Sequence, residues 1–310
     1  MVLIAHRRAS SGLIKAALLM VGASAIVAAV SLLAKTLGRG VGGEELHPLQ
    51  IAAGRFVSAF IVMALISAWL RPSLAGANWP VHAGRSVCGW AALSLMFTAV
   101  MSMPLAEATA ISFLSPLATM MLAIPILGER VGPIRWSAAG IAMVGAIVLI
   151  RPGTEAFQPA ALLALASALF MGLEAILIKQ LSSREPPIRI LLINNGIGSL
   201  IGVAFASLVW VTPSPVQWLL MAGLGSMLGA QVLFIQAMRA ADASYVMPFF
   251  YATLLFAALY DVALFGEWPD LWSQLGVVII VGGGLLLAWR EHQRAAMYRR
   301  DGPDPTRKGD

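Results

Sequence analysis

The stretch LSPLATMMLAIPILGERVGPIRW, Leu114 to Trp136, and its counterpart LLFAALYDVALFGEWPDLW, Leu254 to Trp272, decide how the chain is read. Each is an apolar run that stops at Gly-Glu, crosses a short polar turn and enters a new Gly-rich run. Superposing Gly128-Glu129 on Gly266-Glu267 brings Trp136-Ser137 and Gly140 onto Trp272-Ser273 and Gly276 with a gap of two residues. Glycine ends a helix where the backbone must leave helical geometry, and a following carboxylate is cheap at a membrane interface. The Gly-Glu pairs are therefore read as helix stops, Glu129 and Glu267 lying at opposite faces of the membrane.

Composition supports a bilayer setting. Of the 310 residues, 59% are hydrophobic and 12% charged, and the mean hydropathy is +0.83, whereas soluble chains carry about a quarter charged residues. A run of about 20 apolar residues crosses the ~30 Å hydrocarbon core as a helix. Division at Pro, Gly and charge clusters predicts ten such helices near 12–37, 48–70, 86–103, 104–127, 133–150, 159–182, 188–211, 216–239, 243–265 and 271–289. The expected fold is thus an all-α integral membrane protein, and no sizeable soluble domain fits beside it. The net charge of +6 is topological and does not point to nucleic acid. With the N-terminus cytoplasmic, the outer loops hold only Lys35, Arg39 and Arg151, while Arg7, Arg8, Arg71, Arg85, Arg130, Arg135 and the tail fall inside. The Lys/Arg bias therefore places both termini in the cytoplasm. The polar tail, 291–310, has too few apolar residues to pack and is expected to be disordered.

The Gly-Glu repeat divides the chain into halves, 12–151 and 159–290, of five spans each. An odd number of spans inverts the second copy relative to the first, so two inverted five-helix repeats are expected. That arrangement is typical of secondary transporters that rock about a site near the midplane.

The pattern PLAEATAISFLSPLATMMLAIPILGERVGPIRWSAAGIAMVGAIVLIRP, the Pro48 to Arg55 spacing in PLQIAAGR and AADASYVMPFFYATLLFAALYDVALFGEWPDLWSQLGVVII resemble the EamA-type drug/metabolite transporter superfamily, over about residues 12–290. The first half is most similar to the bacterial branch that includes S-adenosylmethionine and riboflavin carriers. The resemblance implies a carrier of the bacterial inner membrane that moves a small polar organic metabolite by alternating access. Members as a whole carry amino acids, nucleotide-related metabolites, vitamins, amines or drugs, so a broad drug or amine exporter is the alternative. Pro116 aligns with Leu254 while Pro248 falls earlier in its helix, so the halves cannot line a cavity identically.

Ionisable residues inside spans are the leads, since a charge at the bilayer centre costs on the order of 3 kcal/mol. Glu174, mid-helix in ALFMGLEAILIKQL, reads as a proton- or cation-binding group of a central cavity or as a carboxyl paired to another helix. Arg55, Glu107 and Asp261 fall at similar depth, so an Arg55 pair with either carboxylate is expected, as an outer gate, a seat for a zwitterion or a structural bridge. Lys35 and Lys179, near helix ends, are expected to snorkel. Ser115, with Ser112 and Thr119, marks one helix face, and Trp90, Ser94, Thr98 and Ser102 mark another; such stripes pack helices or line a pathway. Trp90, Tyr245 and Tyr251 could stack on a planar or cationic substrate, Tyr251 being preferred. Asn194-Asn195 could bond across helices or touch substrate.

No GxxxxGK[ST] loop is present, and no HExxH or Cys/His set, while the single cysteine is Cys88. Neither ATP-driven transport by this chain alone nor a metalloenzyme is supported, and no cofactor or metal is expected. A membrane enzyme acting on lipid would need clustered Asp, His or Cys at one face, whereas the carboxylates here fall singly on different spans. A non-enzymatic carrier follows, with a small-molecule substrate, protons as a candidate coupling ion and the bilayer as its partners.

Overall fold

The computed structural model describes residues 2–127, 133–151, 158–182, 184–240 and 247–283. Its regular elements are helices: α1 (Val2–Gly38), α2 (Pro48–Leu70), α3 (Trp79–Ser102), α4 (Leu105–Ser112), α5 (Ser115–Leu127), α6 (Pro133–Ile150), α7 (Ala160–Ser182), α8 (Pro187–Ala206), α9 (Pro215–Gly223), α10 (Met227–Ala240), α11 (Ala252–Phe265) and α12 (Leu271–Gly283). Among the described residues, seven apolar segments are long enough to cross a membrane, and Gly140–Ile150, Phe249–Phe265 and Leu271–Gly283 are shorter apolar helices. Together these fall where the ten spans were expected. The Gly128-Glu129 stop, Tyr245 and the tail lie outside the described residues.

Local chemistry sets the boundaries. Proline opens α2, α6, α8 and α9 and falls in the first turn of α3, where its missing N–H costs nothing. The Ser214 hydroxyl accepts from the Gln217 N–H, whose side chain in turn accepts from the Ser214 N–H, a reciprocal cap on α9. At the end of α11, Gly266 takes φ 66° and its N–H returns to Val262, the left-handed stop read from Gly-Glu.

Three expectations are corrected. α3 begins at Trp79 and not at 86, so His82 and Arg85 lie within the helix, and both are buried; polar residues there mark interior partners and not a loop. The fourth span is broken, α4 ending at Ser112 and α5 starting at Ser115. Pro116, in the first turn of α5, has no backbone N–H to donate back toward α4. The ninth span opens with a 3-10 turn, Met247–Tyr251, and the hydroxyl of Ser24 lies 3.3 Å from the carbonyl oxygens of Phe249 and Phe250. Backbone that leaves the α-helix inside a bilayer must find such partners in protein.

α3 packs on α7 and α1 on α10; α4 and α5 pack on α7, and α11 on α1; α3 meets α8, and α9 meets α2; α2 packs on α8, and α4 on α11. α6 and α12 approach through glycines, since a Cβ on Gly145 would stand 2.8 Å from the Ile280 nitrogen and one on Gly276 2.7 Å from the Leu149 Cβ. Alanines dominate the interior, Ala99, Ala108, Ala110, Ala164 and Ala257 being fully buried. Many large apolar side chains point outward: Trp69 is 85% exposed and Leu208 78%. Small residues where helices meet and apolar side chains on the outer surface are what close helix packing in lipid selects. The chain is a multi-pass membrane protein.

Candidate functional site

Polar chemistry inside the bundle gathers around α2, α3, α7 and α8. Glu174 extends from α7 toward α3 at Gly89, where a Cβ would stand only 3.0 Å from its Oε1; the glycine makes room for the carboxylate. One turn before Gly89, Arg85 brings Nη2 to 3.5 Å from Glu174 Oε1 and donates through Nη1 to the Ile190 carbonyl at 3.3 Å. From α2, Arg55 lies within electrostatic reach of both Glu174 and Arg85. It donates through Nη1 to Asn195 Oδ1 at 3.3 Å, and Asn195 Nδ2 is anchored on the Leu191 carbonyl at 2.8 Å. The Arg55 guanidinium also covers the Phe56 ring, 4.6 Å from its centroid. Arg55, Arg85 and Asn194 are all more than nine-tenths buried. Among the described residues, Arg55 Nε, Arg85 Nε and Asn194 Oδ1 make no hydrogen bond. Two guanidiniums thus face one carboxylate.

A second charged group ties α1, α4, α11 and α12 near one end of the bundle. Lys35 is fully buried and lies between Asp261 Oδ1, at 2.7 Å, and Glu267 Oε2, at 2.5 Å. Asp261 Oδ2 accepts the Leu105 N–H at the start of α4, and Arg39 pairs with Glu267 above the Phe265 ring, 4.3 Å from its centroid. Ser273 Oγ donates to Glu107 at 2.5 Å, and Arg151 Nη1 meets Asp270 Oδ2 at 2.7 Å. Burial opposes the charge on Glu267, but hydrogen bonds and attraction from Lys35 and Arg39 outweigh it and hold that carboxyl below its ordinary range. Ser273 and Arg151 do the same for Asp270.

The expected pairing is therefore corrected. Arg55 turns to Asn195, Glu174 and Arg85 and not to Glu107 or Asp261, whereas Asp261 takes Lys35, which does not snorkel. Tyr251 lies edge-on to Phe113, ring centroids 5.1 Å apart, and Phe250 packs on the same ring at 5.7 Å; these aromatics meet where the fourth and ninth spans leave the helix. Trp90 lies against Phe205 at 4.7 Å. Ser115 heads α5, where the Thr119 hydroxyl donates to its carbonyl at 2.9 Å and reaches the Gly172 carbonyl at 3.4 Å, bringing α5 against α7 two residues before Glu174. The hydroxyls of Ser112 and Thr98 bond to their own helices, a local use of stripe residues.

At the other end, the Glu185 carboxylate meets buried His82 Nε2 at 2.9 Å and accepts the Asn78 N–H at 2.9 Å, with Arg189 Nη1 at 3.6 Å. Burial would raise the Glu185 carboxyl, but the Asn78 N–H, His82 and Arg189 prevail and hold it below the ordinary range. A depressed carboxyl stabilises the fold above its unfolded value, about 4.3 for Glu, and that contribution is lost as pH falls through the folded value. The thermal stability of the solubilised protein should therefore decline as pH is lowered below about 4, and Glu185→Gln should flatten that decline. Identical pH profiles for wild type and variant would show that the contact contributes nothing.

Sequence reasoning missed Arg85, His82, Glu185 and the burial of Lys35. A usable signal for Arg85 was Gly89, four residues on and on the same helix face, which leaves a notch for a partner side chain.

Buried charge inside a lipid-facing helical bundle defines a membrane-embedded polar site, the feature a transporter needs. The chain belongs to the EamA-like transporter family, whose model matches residues 14–151 and 158–289. It is 27% identical to the S-adenosylmethionine uptake transporter of Rickettsia prowazekii, over 80% of this chain and 85% of that one. It is 31% identical to the riboflavin transporter of Rhizobium johnstonii, over 69% of this chain and 71% of that one. A solved crystal structure with 19% sequence identity superposes with a TM-score of 0.58, covering 88% of this chain and 99% of the other, and shares the fold.

Proposed function

We propose that this protein is a secondary carrier of the bacterial inner membrane that moves a small polar organic metabolite by alternating access. The observation that carries this reading is the cluster of buried Arg55 and Arg85 with half-buried Glu174, set between four apolar helices. Charges left mid-membrane are expensive, and a polar solute in transit is what makes such a cluster useful.

Two inverted five-helix repeats, 12–151 and 159–290, are the proposed moving parts. Their support is reciprocity of packing: α3 on α7 answers α10 on α1, α4 and α5 on α7 answer α11 on α1, and α3 on α8 answers α9 on α2. The family match in two consecutive stretches agrees with that division. With both termini cytoplasmic, the Lys35, Asp261 and Glu267 group lies at the outer end and acts as the closed outer gate. Glu174 is proposed to couple transport to protons, with Ser115, Trp90 and Tyr251 lining parts of the path. The excess of guanidinium over carboxylate disfavours the exporter of cationic drugs, and a membrane enzyme gains no support from relatives named as transporters.

The test is flux into proteoliposomes of purified protein, using S-adenosylmethionine, riboflavin, amino acids and a cationic dye, with and without a pH gradient. Saturable flux of one metabolite and none of the dye is the expected result. Saturable flux of the dye would replace this reading with the exporter. The absence of any flux, together with altered lipid products in membranes carrying the protein, would replace it with the enzyme.

A further inference from the structure

We infer that the substrate of this carrier bears a carboxylate, and that Arg55 and Arg85 are the groups that receive it; the inference rests on the carrier reading above. Charge is the first argument. Arg55 and Arg85 are each more than nine-tenths buried, the charged group they share is Glu174, and the local sum is one positive charge inside apolar surroundings. A buried charge without a counter-ion is costly, and a second carboxylate supplies what the fold does not.

Unused bonding capacity is the second argument. A guanidinium carries five N–H donors in a planar fork suited to two carboxylate oxygens. Arg55 uses one on Asn195 Oδ1 at 3.3 Å, and Arg85 one on the Ile190 carbonyl at 3.3 Å. The contact of Arg85 with Glu174, at 3.5 Å through one nitrogen, is long for a charge-assisted bond, which runs at about 2.7–2.9 Å. Neither Nε has a protein acceptor among the described residues. The arginines are therefore positioned by one or two long contacts each and keep most of their donors available.

Their mounting is the third argument. Arg55 is held flat by the Phe56 ring, and its neighbour Asn195 is fixed by the α8 backbone. Arg85 and Glu174 meet at the Gly89 notch, where no side chain intervenes. Pre-placed donors of this kind lower the ordering cost of binding. The arginines come from α2 and α3 of the first half and contact α7 and α8 of the second, so a bound carboxylate would join the two halves.

Matched ligands test this in proteoliposomes of the full-length protein. Labelled S-adenosylmethionine is competed with unlabelled S-adenosylmethionine and with its decarboxylated counterpart, which keeps the nucleoside, sulfonium and amine. The decarboxylated compound should compete at least about tenfold less well, the lower range for a hydrogen bond to a charged group. Arg85→Lys, which keeps the charge and loses the fork, should shrink that ratio while leaving the melting temperature near wild type; Arg55→Lys provides the same reading from the other helix. Equal competition by the two compounds overturns the carboxylate assignment and leaves the carrier standing. Saturable riboflavin flux that neither arginine variant alters has the same meaning, since riboflavin has no carboxylate. No flux of any tested metabolite, amino acids included, overturns the carrier reading and this inference with it.

Discussion

Lys35→Met is expected to destabilise the solubilised protein by about 3–5 kcal/mol, the range for removing one partner of a buried ion pair. Lys35 has no exposed surface and Asp261 has 1%, so the single substitution leaves an aspartate without its cation in a dry setting. Asp261 also holds the Leu105 N–H, and its distortion would loosen α4 from α11. Adding Asp261→Asn should restore most of the loss, because the amide oxygen still accepts that N–H and no buried charge remains. Glu267 keeps Arg39 in both variants. Thermal unfolding of wild type, Lys35→Met and Lys35→Met/Asp261→Asn decides the matter. If the double variant melts with the single one, the pair is not what holds these helices together. For transport, the double variant should retain flux but lose its dependence on a closed outer end, leaking substrate in the absence of exchange partner.

The misreading of Lys35 shows which parts of this protein were legible in the sequence. The spans were, because lipid imposes a length and a polarity that any apolar run reveals. Glu174 was, because a lone carboxylate with greasy neighbours on both sides has no surface explanation. Lys35 stands three residues from the end of α1, where snorkelling is the default. Its partner is 226 residues away, and no local pattern announces a contact between α1 and α11. Arg85 reads as a loop residue for the same reason, and His82 gives no local sign of burial, since their partners Glu174 and Glu185 lie on or beyond another helix. Arg55 was picked out as important and given the wrong partner: depth alone was legible, and the face of α2 that carries it was not. The break at Phe113 was marked by Pro116, but the hydroxyl of Ser24, which serves the matching irregular turn at Phe249 and Phe250, gave no advance sign.

Glu174→Gln should abolish the response of transport to a pH gradient while preserving exchange of substrate across the membrane. Glutamine keeps the length of the side chain, can still accept from Arg85 and still fits the space that Gly89 leaves, where a Cβ would stand 3.0 Å from the side-chain oxygen. What it loses is the capacity to carry a proton in one orientation and release it in the other. The groups facing Glu174 are Arg85 and Arg55, neither of which gives up a proton in the working range, so this carboxyl is the titratable member of the cluster. Gradient-driven accumulation should fall by about tenfold or more, equivalent to at least 1.4 kcal/mol of lost coupling. Counterflow of labelled against unlabelled substrate should stay within about threefold, since exchange at equal pH needs binding and conformational change but no net proton movement. A merely structural role predicts a different pattern, in which driven uptake, counterflow and melting temperature fall together. Accumulation that persists undiminished in the glutamine variant would assign coupling elsewhere and leave Glu174 as the counter-ion that keeps two buried arginines from repelling one another while the site waits for its substrate.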